Sequence, residues 1–111
     1  MEVSEYCYLG VPVVEVRGEV DHSTCDDFVE ICTRALGTGK RVALDLAGCP
    51  CMDSGGISVL LSLLKLVRPE GAVAVISPDS NLLRILEMVG LTLDRSFRVL
   101  SSRDELAERT A

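Results

Sequence analysis

The sequence predicts an α/β fold with a mixed, mostly parallel sheet of four to five strands and about four helices. Short β-branched and aliphatic segments alternate with segments whose apolar residues recur at helical spacing. Glycine, proline and small polar residues separate these segments. This alternation is typical of parallel strands joined by right-handed helical crossovers. With 111 residues, 48% of them hydrophobic, the chain is long enough to form one domain, residues 1–111.

The first two predicted strands form a hairpin at the beginning of the chain. Residues 3–9 and 11–16 are rich in β-branched side chains and flank Gly10. Pro12 has no amide hydrogen, so it places the second strand at an edge of the sheet or at a bulge. The hairpin is therefore expected to add an antiparallel edge to the sheet.

The first helix is predicted to begin after the second strand. Ser23 or Thr24 is a candidate N-cap, and Asp26 and Asp27 complement the positive end of the helix dipole. Gly37 is expected to end the helix. The predicted inward face consists of Cys25, Phe28, Cys32, Ala35 and Leu36.

The chain is organised around residues 52–56, where an aliphatic strand, residues 41–46, gives way to the longest apolar helix pattern. The helix is predicted over residues 57–67. Its inward face is expected to comprise Ile57, Leu60, Leu61, Leu64 and Val67. A second apolar flank has two open interpretations, packing within the protein or docking of a partner: Val59, Leu63 and Leu66.

The last third of the chain continues the alternation. The apolar segment Ala72–Ile76 predicts a strand covered on both faces. Asp79 precedes a helix that Gly90 ends, and Phe97–Leu100 predicts a short strand. A last amphipathic helix is expected around Leu106, with residues 108–111 frayed. The inner face of the helix after Asp79 is predicted to be Leu82, Leu83, Leu86 and Val89.

Charge and composition exclude several classes of partner. Seventeen acidic against eleven basic residues give a net charge of −6, which repels nucleic acid and anionic membrane surfaces. No apolar segment approaches the roughly 20 residues of a membrane span. The acidic start of the chain does not resemble a signal peptide, so we expect a cytoplasmic protein.

Five cysteines are expected to be reduced thiols that act as small buried hydrophobic residues. Cys49 and Cys51 form a C-x-C pair rather than the C-x-x-C of redox or zinc motifs, and no second ligand pair accompanies them. The sequence therefore predicts no metal site and no cofactor.

The segment Asp53-Ser54-Gly55-Gly56 also occurs around the nucleophile of serine proteases, which raises the possibility of a hydrolase. Met52 stands where the protease motif has glycine, and the chain is too short for two β-barrels. His22 is the sole histidine available as a general base, and its simplest interpretation is a solvated loop residue. We therefore predict that the protein is not an enzyme.

Phosphorylation is the alternative use of an exposed serine at this position. A phosphate on Ser54 would be favoured by open amides of Gly55 and Gly56 at the helix N-terminus and opposed by Asp53. A partner docked on the same surface would be displaced by the added charge. A purely structural role, in which Ser54 caps the helix, is compatible with phosphorylation of the same residue.

The loops at Asp21 and Asp53 both follow the carboxyl ends of predicted strands, so they are expected to meet on one surface. Three segments there and downstream resemble STAS domains, and within them the bacterial anti-sigma factor antagonists. Residues 18–24 read GEVDHST, similar to G-E-[LI]-D-x-x-[TS]; residues 42–46 lead into MDSGGI, similar to D-S-[ST]-G; and residues 77–78 are followed by RIL and MVGL. The resemblance covers almost the whole chain and implies a STAS-like fold.

The resemblance implies a regulatory switch rather than an enzyme. Family antagonists bind an anti-sigma factor, often itself a serine kinase, and release a sigma factor; phosphorylation of the serine after the aspartate ends binding, and a phosphatase restores it. Ser54 matches that serine, whereas Gly55 replaces the family's second hydroxyl residue. A STAS scaffold or ligand-sensing module without phosphorylation is the alternative. The expected partner-binding residues are Asp21, His22, Ser23, Thr24, Asp53, Gly55, Gly56 and Ser58.

Overall fold

A computed structural model describes residues 1–106. The elements in chain order are β1 (Glu2–Tyr8), β2 (Val11–Arg17), α1 (Cys25–Leu36), β3 (Arg41–Gly48), α2 (Ser54–Val67), β4 (Ala72–Ile76), α3 (Ser80–Met88), a 3-10 turn (Leu91–Leu93) and β5 (Phe97–Leu100). The strands form one sheet in the order β1-β2-β3-β4-β5, in which β1 and β2 are antiparallel and the other neighbouring strands are parallel. The predicted α/β class and mixed sheet are confirmed.

The hairpin turn has the backbone that a two-residue connection requires. Leu9 and Gly10 both have positive φ, 52° and 82°, as in a type I′ turn. Such a turn matches the twist of the flanking strands, so it sets the register in which Tyr8 pairs with Val11.

The edge position predicted from Pro12 is wrong. β2 lies between β1 and β3, and its irregularity falls between Glu15 and Arg17 rather than at the proline. The proline is tolerated because pairing with β3 begins only at Val13. Its missing amide hydrogen therefore removes no bond from that ladder.

Two hydrophobic clusters lie on opposite faces of the sheet. The larger contains the inward side chains of all three α-helices, with Leu44 and Val75 of the central strands among them. The smaller contains alternate strand residues, among them Ala43 and Ile76, and is completed by Leu106. β4 is buried on both faces, as its apolar sequence predicts.

The helices differ from prediction in number and at their ends. The described residues contain three α-helices and the 3-10 turn, rather than about four helices. Glu105 and Leu106 begin the last predicted helix, and its continuation and the frayed end lie outside the described residues. Val89, predicted to face inward, is exposed because it is the C-cap residue, directly after the end of α3 at Met88.

The two interpretations of the α2 flank are resolved residue by residue. Val59 and Leu63 are buried, so they pack within the protein, whereas Leu66 is exposed. Leu61, predicted to face the core, is also exposed, because it lies at the margin of the buried arc on the side of Ser54 and Ser58. The buried arc is thus rotated away from Leu61.

All five cysteines are free thiols, and they fall into distinct environments. Cys32 and Cys49 are buried, as predicted, and burial raises the pKa of both, that of Cys32 to about 12. Cys7 and Cys51 are exposed, so the prediction of buried thiols is wrong for these two.

Within residues 1–106, no helix is long and apolar enough to cross a membrane.

Candidate functional site

The two loops that follow β2 and β3 are joined by backbone hydrogen bonds. An isolated parallel bridge pairs Val20 with Met52. The Val20 amide donates to the Cys51 carbonyl at 3.1 Å, and the Asp53 amide donates to the Val20 carbonyl at 3.1 Å. This confirms that the loops meet at the carboxyl edge of the sheet, and it makes one rigid platform of them.

The first loop is folded around the carboxylate of Asp21. Its Oδ1 accepts from the Ser23 amide at 2.9 Å and the Ser23 hydroxyl at 2.6 Å. The Thr24 amide donates to the same oxygen at 3.2 Å. The Ser23 hydroxyl makes the largest contribution to a pKa of Asp21 below the ordinary aspartate range, because hydrogen bonds favour the ionised form. The neighbouring side chain of His22 is exposed.

Thr24 is the residue before the first turn of α1, as one of the two predictions had it, but its side chain does not cap the helix. The hydroxyl of Thr24 instead accepts from the Asp21 amide at 3.0 Å. Helix α1 therefore begins from a turn that Asp21 organises, and Ser23 belongs to that turn rather than to the cap.

The second loop is held by the carboxylate of Asp53, which is the N-cap of α2. Its Oδ1 accepts from the Gly55 amide at 2.9 Å and the Gly56 amide at 3.4 Å. The expectation that these amides are open to a phosphate is wrong, because Asp53 already occupies them. Ser54 is the first residue of the helix and is exposed, and its hydroxyl makes no hydrogen bond within the described part of the chain.

The two glycines after Ser54 stand where side chains would collide. A Cβ on Gly56 would lie 2.2 Å from Met52 Cγ, so the packing of the Met52 side chain requires glycine there. A Cβ on Gly55 would lie 3.0 Å from Cys25 Sγ. The side chain of a hydroxyl residue at position 55 would therefore need space that the Cys25 thiol of α1 occupies.

A groove of about 460 Å³ opens beside Ser54, between the beginning of α2 and the end of α3. Ser58 lies one turn after Ser54, and its hydroxyl donates to the Ser54 carbonyl at 3.0 Å. We name this feature the α2–α3 groove; its lining comprises Met52, Asp53, Ser54, Ile57, Ser58, Ile85 and Val89. Sequence reasoning missed Ile85 and Val89 as site residues, although their spacing of four places them on one side of a helix.

Carboxylates collect at the edge of the sheet that carries both loops. We name this the acidic edge: Asp21 in the loop before α1, Asp26 and Asp27 in the first turn of α1, Asp53 at the N-cap of α2 and Asp79 at the N-cap of α3. Arg34 and Lys65 lie in the last turns of α1 and α2, at the opposite side of the molecule. The aspartates at the beginning of each helix lie at its positive end, where they stabilise it.

Ser54 and His22 share no side-chain hydrogen bond within residues 1–106, so the described structure does not pair this serine with a general base. In the same range, no three His, Cys, Asp or Glu side chains are grouped so as to hold a metal ion. What the site presents is a serine hydroxyl on a rigid, acidic platform next to an apolar groove.

Comparison with known proteins places this geometry in a family. The STAS domain model matches residues 3–106. The chain belongs to the STAS domain family. All of the predicted site residues fall within the matched range of this STAS domain.

The STAS domain is 33% identical over 85 residues to the anti-sigma F factor antagonist of Paenibacillus polymyxa, covering 74% of this chain and 73% of the relative. Its fold is that of the anti-sigma factor antagonist SpoIIAA in its unphosphorylated form, with a TM-score of 0.81, 15% identity and coverage of 98% and 96%. The Bacillus cell fate determinant SpoIIAA in its phosphorylated form gives a TM-score of 0.75, 16% identity and coverage of 99% and 100%. The five-stranded sheet and its helices are thus those of a STAS fold.

Proposed function

We propose that this STAS domain is an anti-sigma factor antagonist, whose unphosphorylated form binds an anti-sigma factor and so releases a sigma factor. The single observation that carries the proposal is the position of Ser54. It is exposed at the first turn of α2, on the platform formed by the two bridged loops. A partner that covers this platform buries the hydroxyl, so a modification there acts directly on binding.

Phosphorylation of Ser54 is the proposed off-signal. It adds roughly −1.5 to −2 charges at pH 7 to an edge that already carries five carboxylates. Asp53 holds the Gly55 and Gly56 amides, so the phosphate gains little internal compensation. It would enter an interface as an uncompensated dianion, which is costly to desolvate. SpoIIAA, which shares the fold, has been solved in phosphorylated and unphosphorylated forms.

The proposed partners follow from this switch. The anti-sigma factor is expected to be the serine kinase that modifies Ser54, and a protein phosphatase is expected to restore the hydroxyl. Asp21, Asp53 and Ser58 supply charge and polar contacts around the acceptor, while Gly56 permits close approach of the two loops. The proposal assigns no catalytic group and no cofactor to the STAS domain.

The test replaces Ser54 with Asp and measures binding to each anti-sigma factor encoded in the same genome, by isothermal titration. Ser62→Asp is the matched control, since Ser62 is also exposed on α2 but lies outside the α2–α3 groove. We expect Ser54→Asp to weaken binding at least about tenfold, or about 1.4 kcal/mol, and Ser62→Asp to leave it within about twofold. Thermal unfolding is expected to stay nearly unchanged in both.

The modification itself is checked by incubating the protein with the bound anti-sigma factor and ATP, followed by intact-mass measurement. Wild type is expected to gain one phosphate and Ser54→Ala none, while Ser54→Ala keeps its affinity. Equal binding by Ser54→Asp and wild type would contradict the switch. Failure of every anti-sigma factor to bind the unmodified chain would contradict the proposed function.

A further inference from the structure

A cavity of about 160 Å³ lies at the end of the sheet opposite Ser54. Arg41 and Ala72, which begin β3 and β4, line this cavity, whereas Ser54 follows the carboxyl end of β3. The cavity lies on the sheet face that carries the smaller hydrophobic cluster, since Leu100 and Leu106 belong both to that cluster and to the cavity lining. It is therefore separate from the α2–α3 groove and from the two bridged loops.

Small side chains on β4 leave the space for this cavity. Successive side chains of a strand point to opposite faces, so Ala72 and Ala74 share one face of β4, and Val73 and Val75 share the other. The two valines belong to the larger hydrophobic cluster. Both alanines line the cavity, so they give it an apolar floor that their side chains are too short to fill.

Two arginines flank the alanine floor. Arg41 of β3 is the register partner of Ala72. Arg98 of β5 is the register partner of Ala74, on the other side of β4. Paired positions of neighbouring strands share a face of the sheet, so both arginines lie on the face of the two alanines. Both line the cavity, one from each side of its floor.

The arginines have hydrogen-bond donors left for a ligand. Among residues 1–106, Arg41 has no partner in a salt bridge or a side-chain hydrogen bond. Arg98 donates through Nη1 to the carbonyls of Arg95 and Phe97, which leaves Nε and Nη2 of its guanidinium. Among the described lining residues Glu70 alone is acidic, so two positive charges face one negative charge. The cavity therefore attracts an anion, and a single negative charge balances it.

The volume and the lining together indicate the class of ligand. A cavity of about 150 Å³ holds a molecule of the size of benzene, so this one has room for roughly six to nine non-hydrogen atoms. Guanidinium groups bind carboxylates through paired, charge-assisted hydrogen bonds. Binding sites for small molecules combine an apolar lining with a few polar groups that fix the orientation of the ligand. A short-chain monocarboxylate has the required size, apolar body and charge, whereas inorganic phosphate has no apolar body.

We infer that this cavity binds a small free carboxylic acid in its ionised form, with the carboxylate between Arg41 and Arg98 and the apolar chain over Ala72 and Ala74. We name the cavity, with these four residues, the carboxylate pocket. The inference does not rest on the proposed function, because the pocket contains no residue of the surface around Ser54.

The experiment titrates the full chain with three probes and follows its backbone amides by NMR. Hexanoate has both the charge and the chain, hexanamide has the chain without the charge, and acetate has the charge without the chain. We expect hexanoate to give saturable shifts centred on the amides of Ala72, Ala74 and Leu100, with a Kd on the order of 1 mM or tighter. Hexanamide and acetate are expected to bind at least about tenfold more weakly, because each lacks one of the two contacts.

Variants locate the site. Arg41→Gln and Arg98→Gln are each expected to weaken hexanoate binding about fivefold or more, since each removes a charged donor. Arg84→Gln is the matched control, because Arg84 is an exposed arginine of α3 outside the pocket, and it should change the affinity less than about twofold. Ala72→Val enlarges a side chain of the floor and is expected to abolish binding. Circular dichroism melts establish that each variant is folded before affinities are compared.

Each contact can be overturned separately. Absence of saturation at about ten times the expected Kd overturns the pocket as a binding site. Equal affinity for hexanoate and hexanamide overturns the ionic contact, and equal affinity for hexanoate and acetate overturns the apolar one. Hexanoate binding that is unchanged in both Arg41→Gln and Arg98→Gln, or weakened equally in Arg84→Gln, overturns the location.

Discussion

At the scale of single residues, the site depends on two carboxylates with different surroundings. Asp53 accepts from two amides of α2 through Oδ1 and is one of the residues that line the α2–α3 groove. Asp21 gathers the Ser23 hydroxyl and two amides around a single oxygen and shapes the loop before α1. Each carboxylate therefore organises the loop that leads into a helix.

Replacing Ser23 with Ala is expected to raise the pKa of Asp21 toward the ordinary aspartate value, because the 2.6 Å hydroxyl donor is lost. In wild type the lowered pKa favours folding above the unfolded value of about 3.9, and this contribution disappears as pH falls through the lower folded-state value. The variant should therefore lose less stability on acidification. NMR titration of the carboxyl carbons measures the shift.

The carboxyl of Asp94 serves as the internal reference for that titration. Its pKa is also lowered, chiefly by the Ser96 amide, and Ser23 does not contact it. A parallel shift of both carboxyls, or none at Asp21, would contradict the assigned cause.

At the scale of elements, the packing of α1 against α2 explains the departure at Gly55. We expect Gly55→Ser to destabilise the protein, since its Cβ would meet Cys25 Sγ at 3.0 Å. Cys25→Ala removes that sulfur and should restore part of the stability, with a coupling of about 0.5 kcal/mol or more between the two sites. Urea unfolding of the two single variants and the double variant measures the coupling, and additive effects would contradict it.

The hairpin between β1 and β2 carries a residue that its turn disfavours. Leu9 is exposed at φ 52°, in the left-handed region, which costs L-residues other than Asn and Asp about 1–2 kcal/mol. Asn tolerates this conformation, so Leu9→Asn is expected to raise the free energy of unfolding by about 1 kcal/mol. Chemical denaturation tests this, and Leu93→Asn is the control because Leu93 is also exposed but lies in the 3-10 turn.

At the scale of the whole molecule, the rate at which each cysteine reacts with a thiol reagent is expected to follow how exposed that cysteine is. Cys7 and Cys51 are expected to react rapidly with a thiol reagent at pH 8, whereas Cys32 and Cys49 should react only as the fold opens. Burial raises the pKa of the latter two, so little thiolate forms even where solvent reaches them. Mass spectrometry of timed alkylation gives the order, and early labelling of Cys32 would contradict it.

Much of this architecture could be predicted from the sequence, since the alternation of strands and helices and the glycine and proline boundaries are local signals. The meeting of the Asp21 and Asp53 loops followed from parallel topology alone. The prediction failed where the position of a residue depends on how distant elements pack against each other. Helical spacing cannot tell where α3 ends, so Val89 was placed inward. The α2–α3 groove was missed because it lies between two helices whose relative position no local pattern encodes.

The placement of all three helix beginnings at one side has a consequence for how a partner arrives. Aspartates at all three beginnings make the surface around Ser54 negatively charged. A positively charged protein is therefore steered toward this surface before contact, and the encounter rate falls as salt increases. In the proposed switch, a phosphate on Ser54 would make this surface more negative still. The phosphorylated protein would therefore still be attracted to a positively charged partner, and binding would fail only when the two surfaces come into contact.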